Sequence, residues 1–411
     1  MTYEVRRMKK ILGLVIVGAL VLLSFFLVRY LGLFQAVVSK GESVFVSEQK
    51  NKVMVEMGSE EEEGGDTLLH LQIEEVARGL DTPWAIVFTA PDRMLVSERP
   101  GRIRVIEKGQ LLPEPLYSFP EISEKGEEGL LSLALDPNYP NTGFLYAILA
   151  YQKNGTIVDK VMRFRDTGSA LVDPAILLDD IPAARFHAGA RIAFGPDGKL
   201  YISTGDATDK NLAQYMSSLA GKVLRLNPDG SIPTDNPFPG SPVFTLGHRN
   251  PQGLAWHPDT GILYETEHGP SGFDGPGGGD EVNLLLPGKN YGWPKVSHEK
   301  SAPEFESPLV VFTPAEAPAS LLIYSGGAIP AWRGQLFFGA LKGEGLMRIV
   351  LDEDNPKRVE SYEKLQEVDF GRIREVTEGP DGLIYFTTSN RDGRGNPRDG
   401  DDRIFRIRSR E

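Results

Sequence analysis

The sequence predicts an all-β chain, a six-bladed β-propeller preceded by one N-terminal transmembrane helix and a linker. Three observations lead there. From about Leu68 an apolar triplet runs repeatedly into a Pro-Asp or Pro-Asn turn and out into a second apolar strand. The turn prolines fall at 91, 137, 196, 258, 330 and 380, with gaps of 46, 59, 62, 72 and 50 residues, which suits one blade per repeat. No long helical periodicity follows residue 40.

The elements follow in chain order. Residues 1–10 carry Arg6, Arg7, Lys9 and Lys10, and Ile11 to Val28 holds no charge. The apolar character resumes through Val38, so 11–38 reads as a membrane anchor. The basic end predicts a cytoplasmic N-terminus and a single-pass protein with its propeller on the extracytoplasmic side. Secretion after signal cleavage is the alternative, although an A-x-A site is hard to find. Residues 39–67, including Ser59-Glu-Glu-Glu-Glu-Gly-Gly-Asp66, have little to bury and read as an acidic flexible linker.

Residues 68–411 form the propeller. Its copies are AIVFTAPDRMLVSE from Ala85, LSLALDPNYPNTGFLYAIL from Leu131, RIAFGPDGKLYISTGD from Arg191, GLAWHPDTGILYETE from Gly253 and EVTEGPDGLIYFTTS from Glu375. A degenerate copy, AIPAWRGQLFFGAL, starts at Ala328. RIRVI (102–106), KVMRFR (160–165), KVLRLN (222–227) and RIFRIR (403–408) supply outer strands, and LLHLQIEEVA after residue 67 pairs with the last blade to close the ring.

Composition narrows the chemistry. The 411 residues include no cysteine, which excludes disulfides, zinc-thiolate sites and a cysteine nucleophile. A formal charge of −13 argues against a nucleic-acid partner. No G-x-G-x-x-G strand-turn-helix unit offers a nicotinamide site.

Function is expected where the repeats differ, on loops at one mouth of the channel. Arg185-Phe-His187-Ala-Gly-Ala-Arg191 leads into a strand ending at Thr204-Gly-Asp206, so one hairpin can return Asp206 to His187, a carboxylate orienting a general base. Gly247-His-Arg-Asn-Pro-Gln-Gly253 places Arg249, Asn250 and Gln252 together. Glu267-His-Gly-Pro270 and Gly279-Asp-Glu-Val-Asn283 offer the carbonyls and carboxylates that calcium favours. Lys342, with Arg372 and Arg374 alternating on a strand, suits a ligand bearing carboxylates.

The series PWAIVF, SERPGRIRVI, GEEGLLSLALDPNY, HAGARIAFGPDGKLYISTGD, SSLAGKVLRLNPDGSIP, GHRNPQGLAWHP, EHGPSG, GGDEVNLLLPGKNYGWP, GALKG and GRIREV resembles the quinoprotein aldose and soluble glucose dehydrogenases of the glucose/sorbosone dehydrogenase family, from about Val76 to the C-terminus. The resemblance implies a six-bladed propeller that binds pyrroloquinoline quinone (PQQ) and Ca²⁺ and oxidises aldose sugars at C1 to lactones by hydride transfer. Electrons then pass to an acceptor other than nicotinamide, a quinone or redox protein. It also implies that His187 is the catalytic base, Asp206 its orienting carboxylate and Arg249 the arginine beside the reactive quinone carbonyl.

By the same resemblance Asn250 and Gln252 neighbour the cofactor, and Lys342, Arg372 and Arg374 hold its carboxylates. The backbone carbonyls of Gly269 and Pro270 match calcium ligands, and Asp280 lies beside the pocket. Glu281 and the Tyr291 carbonyl match part of a second, structural calcium site. Glu127 stands where glucose-oxidising members place a substrate-contacting glutamine, which leaves the sugar open. A calcium-dependent lactonase propeller and a non-catalytic sugar-binding propeller are the alternatives. The first has no use for Lys342, Arg372 and Arg374 together, and the second none for His187 beside Asp206.

Overall fold

In the computed structural model, residues 70–122, 126–352 and 354–410 are described. The membrane anchor and the linker expected at the N-terminus lie outside these residues. Among the described residues no helix is long and apolar enough to cross a membrane. Within the described residues one four-residue helix, Tyr139–Thr142, and two 3₁₀ turns interrupt what is otherwise strand and loop.

Six sheets carry the chain, and the repeat units map onto them. Blade one runs outward through Pro83–Ala90, Arg93–Glu98, Arg102–Glu107 and Gln110–Leu111, with Tyr117–Ser118 also on its third strand. Blade two holds Leu130–Leu135, Phe144–Lys153, Thr156–Asp166 and Leu171–Pro182. Blade three holds Gly189–Phe194, Leu200–Thr204, Lys222–Leu226 and Val243–Leu246. Blade four holds Pro251–Trp256, Leu263–Glu267, Asp280–Leu285 and Val310–Phe312. Blade five holds Pro318–Ile323, Leu336–Ala340, Gly345–Leu351 and Val359–Lys364. Blade six holds Ile373–Glu378, Ile384–Thr388 and Arg403–Arg410, and its fourth strand is His70–Arg78 from the start of the domain.

That last pairing is antiparallel, from His70 opposite Arg410 to Arg78 opposite Arg403. It joins the two ends of the ring and removes the open sheet edges that an unclosed propeller would carry. The four segments expected as outer strands all fall in third strands. One repeat differs from its reading. Blade five begins at Pro318–Ile323, not at Ala328; a long turn with a 3₁₀ segment, Pro330–Trp332, separates it from its second strand. The proline at 330 thus starts a helical turn, a position that its fixed φ favours.

The first strands of successive blades pack against one another around the channel, the sixth closing on the first. Each of these six strands slips register against its neighbour near its start: Pro83/Ala85, Leu130/Leu133, Gly189/Ile192, Pro251/Gly253, Pro318/Leu321 and Ile373/Val376. A bulge bends its strand and re-aims side chains. Here six bulges fall at one end of the ring.

Hydroxyls on second strands support the bulges and tie blades together. Ser203 Oγ accepts from Arg191 N (3.0 Å) and donates to Pro251 O of the next blade (3.0 Å). Ser97 Oγ does the same between Ala85 N and Leu131 O, and Thr387 Oγ1 between Glu375 N and Pro83 O. In blade five the matching position is Gly339, where a Cβ would lie 2.4 Å from Ile373 O. That contact replaces the hydroxyl with direct backbone approach.

Candidate active site

The bulged ends open into a cavity of about 580 Å³ lined by residues of all six blades or the loops between them. Trp84 lines it, with the Arg191 guanidinium 4.3 Å and the Arg374 guanidinium 5.5 Å from its ring.

His187 precedes the first strand of blade three with φ +57°, and Gly189 pairs with Thr204 across the hairpin. The hairpin brings Asp206 back as expected: Nδ1 of His187 lies 2.7 Å from Oδ1 of Asp206. Gly205 makes this approach possible, since a Cβ there would sit 1.7 Å from His187 O. Both oxygens of Asp206 are engaged further, Oδ2 accepting from Trp293 Nε1 (2.8 Å) and Oδ1 from Thr208 N (2.8 Å). The His187 backbone N–H donates to Glu127 Oε2 (3.0 Å). Both members of the pair are buried, and His187 lines the cavity. An imidazole whose Nδ1–H is held by a carboxylate presents Nε2 as a proton acceptor.

Arg249 is 1% exposed, yet it too lines the cavity. Its backbone N–H donates to Glu267, and its Nε to Asp274 Oδ2 (2.7 Å). Nη1 and Nη2 donate to His268 O (3.1 Å) and Ser271 Oγ (3.0 Å). Asn250 Oδ1 accepts from Gly189 N (2.9 Å) and from Gln252 Nε2 (3.1 Å). Gln252 Oε1 then accepts from Arg374 Nη1 (2.7 Å), so the GHRNPQG loop links the dyad side to the cationic side.

The three expected cations differ in state. Arg372 is paired, with Nε and Nη2 3.0 and 2.6 Å from Asp392 Oδ2 and Nη1 donating to Leu341 O (2.6 Å). Lys342 lines the cavity and is exposed. Arg374 is buried, forms no ion pair among the described residues, and keeps Nε without a hydrogen bond. Burial pulls its pKa down to about 9, with Asp392 opposing and Arg372 adding to the fall. It is a cation lacking a directly paired counter-ion, at the wall of a cavity.

Of the expected calcium positions, Gly269 and Pro270 line the same cavity beside Asp280. Asp280 accepts from Gly269 N (2.7 Å) and Ala317 N (2.6 Å), and burial raises its pKa. Pro270 O accepts from Gly278 N (3.2 Å), which leaves one of its two lone pairs.

Glu281 and Tyr291 are brought together elsewhere. With Glu267 they line a void of about 10 Å³, the room of one water or ion. Ligand atoms of His248, Glu265 and Glu267 lie within 4.8 Å of one another beside it. Asn283 Nδ2 donates to Glu265 (3.0 Å) and Glu281 (3.2 Å). Burial and then Glu267 push Glu265 well above its ordinary range and Glu281 up to about 8.

A pH dependence follows. A carboxyl group whose folded pKa exceeds its ordinary 4.5 holds its proton in the native state, so its ionisation costs stability as pH rises from 4.5 towards about 8. Thermal melts in chelator should therefore fall between pH 5 and pH 8.5, and calcium should restore them at the higher pH. Because Lys222, Glu375 and Asp402 are also shifted in this window, the comparison is with Glu281→Gln: a fall in the parent no larger than in that variant would mean that no such strain exists.

Sequence reasoning missed several residues of the site. Trp84 stands in PWAIVF without any polar signal. Asp392 and Arg394 lie in a loop that reads as a surface turn, yet Asp392 holds Arg372 and Arg394 pairs with Glu127 (2.8 Å). Asp392 stands to Arg372 across one hairpin as Asp206 stands to His187, a signal the sequence offered; Trp84 and Arg394 are brought to the mouth only by the fold.

The model of the Glucose / Sorbosone dehydrogenase family matches residues 80–396. A crystal structure of a Thermus thermophilus protein is 45% identical, with a TM-score of 0.76 over 82% of this chain and all of that one. The PQQ-bound aldose sugar dehydrogenase of Streptomyces coelicolor is 33% identical, with a TM-score of 0.73 over 83% of this chain and 99% of that one. Aldose sugar dehydrogenase YliI of Escherichia coli (strain K12) is 33% identical across 79% of this chain and 91% of its own length.

Proposed function

The chain belongs to the glucose/sorbosone dehydrogenase family, and from that premise we propose that it is a PQQ- and calcium-dependent dehydrogenase that oxidises aldose sugars at C1 to lactones. One observation carries the reading: a buried imidazole–carboxylate pair and a buried guanidinium without an ion pair among the described residues face the same cavity. The first removes a proton, and the second awaits an anion.

PQQ is an aromatic tricarboxylate, and the residues present suit it. Arg374 supplies an unneutralised charge with a free Nε–H, Lys342 a second charge, and Arg372 a guanidinium shared with Asp392. Trp84 lines the cavity as a flat aromatic ring with two guanidinium groups near it. The carbonyls of Gly269 and Pro270 would hold the calcium ion. When bound, PQQ with its calcium supplies a two-electron acceptor for the hydride leaving C1.

The remaining work belongs to the chain. His187 Nε2 takes the proton from the C1 hydroxyl, and Asp206 fixes the tautomer and favours the imidazolium that forms. Trp293 and Thr208 hold Asp206 in turn. Arg249, fixed by its four donors, would stabilise the negative charge that grows as hydride leaves the sugar. A lactonase leaves the Arg374 charge without a purpose.

The test is spectroscopic. Adding PQQ and calcium to the purified protein should give a bound quinone absorbance that an aldose bleaches, and chelation should abolish dye reduction until calcium is returned. No quinone binding, or a bound quinone that no aldose bleaches, would sink the reading.

A further inference from the structure

Between Pro270 and Gly279 the chain makes a loop, Ser-Gly-Phe-Asp-Gly-Pro-Gly-Gly, in which four of eight residues are glycine. Such a segment has little conformational preference of its own. It is nevertheless anchored. Asp274 is nearly buried, with Oδ2 2.7 Å from Arg249 Nε and Oδ1 accepting from Ser271 N (3.0 Å). Ser271 Oγ takes a second Arg249 donor. Phe273 is then displayed beside the anchor and lines the cavity, although 67% of its surface is exposed. Its ring lies against the His187 ring, centroids 5.7 Å apart and planes 25° apart.

Phe273 takes no part in the core, and what sets it apart from other exposed apolar side chains is that it lines the cavity against the ring of the proposed base. A hydroxyl presented to His187 comes within reach of Phe273, because both rings line the cavity and lie against each other. An aldopyranose has polar edges and apolar C–H faces, and an aromatic ring at the rim matches such a face. We propose that Phe273, pinned by the Asp274–Arg249 ion pair, is the platform that selects the sugar. It favours aldopyranoses with an unbroken C–H face over epimers in which an axial hydroxyl interrupts that face. This rests on the sugar-oxidising reading above.

Phe273→Ala should raise KM for an all-equatorial aldohexose about tenfold, with a smaller change in kcat, and should flatten the preference over its C4-axial epimer. Phe273→Trp should restore both. Asp274→Asn should reproduce the rise in KM, and the double variant should be no worse than the worse single one, because both act through one platform. An unchanged KM and an unchanged epimer ratio in Phe273→Ala would overturn the proposal. A second measurement does not depend on turnover. Saturation-transfer NMR of glucose with the cofactor-free protein should show aromatic-to-sugar transfer that Phe273→Ala weakens several-fold, the remainder coming from Trp84 and Phe186 in the same cavity; equal transfer in both proteins overturns the platform. A wild-type protein that shows the transfer yet never bleaches PQQ would sink the redox reading and leave the platform standing.

Discussion

His187→Ala is expected to lower turnover by roughly 10²–10⁴-fold with PQQ and calcium still bound, the range for loss of a general base. The expectation rests on geometry. Nδ1 is committed to Asp206 at 2.7 Å, so the other ring nitrogen is the one the cavity meets. Asp206→Asn should lose less, because the ring keeps a partner but gains the wrong tautomer preference and a weaker imidazolium. The bound quinone spectrum separates the chemical role from a structural one. His187→Ala that retains the spectrum and loses turnover supports the base. A variant that loses both together would make His187 a structural residue, and near-normal turnover would end the proposal.

The dyad was legible because it is local. A Pro-Asp-Gly turn between two short strands returns the chain to its starting height, so residues just before the first strand and just after the second must meet. His187 and Asp206 stand at those two positions, and Gly189 pairs with Thr204 between them. The propeller was legible for the same reason, since each blade is a short-range repeat and only the closing strand His70–Arg78 reaches across the sequence. What stayed hidden joins distant blades. Gln252 of blade four binds Arg374 of blade six across 122 residues of sequence, and Arg394 pairs with Glu127 of the loop before blade two. The six bulges were hidden too, because a register slip leaves the alternation of apolar residues almost intact on either side of it.

Such contacts also decide how the three cations rank, and they lead to the second large effect. Arg374→Ala is expected to weaken PQQ binding by roughly 30-fold to several thousand-fold, the counterpart of the ~2–5 kcal/mol lost when one partner of a desolvated charge pair is removed. Arg372→Ala should cost less, because Asp392 already shares its charge. Lys342→Ala should cost least, under about tenfold, since its side chain is exposed and screened by water. Stability should move the other way. The cofactor-free protein keeps the Arg374 guanidinium buried and hydrogen-bonded to Gln252, and burial pulls its pKa down to about 9. Replacing it with methionine, an apolar side chain of similar length, removes an uncompensated buried charge. Arg374→Met should therefore melt no lower than the parent without PQQ, yet gain much less from added PQQ, because ligand stabilisation follows affinity. Melting curves with and without PQQ read both effects in one experiment. If Arg374→Met melts well below the parent without cofactor and binds PQQ as tightly, the guanidinium supports the fold and the cavity wall does not wait for an anion.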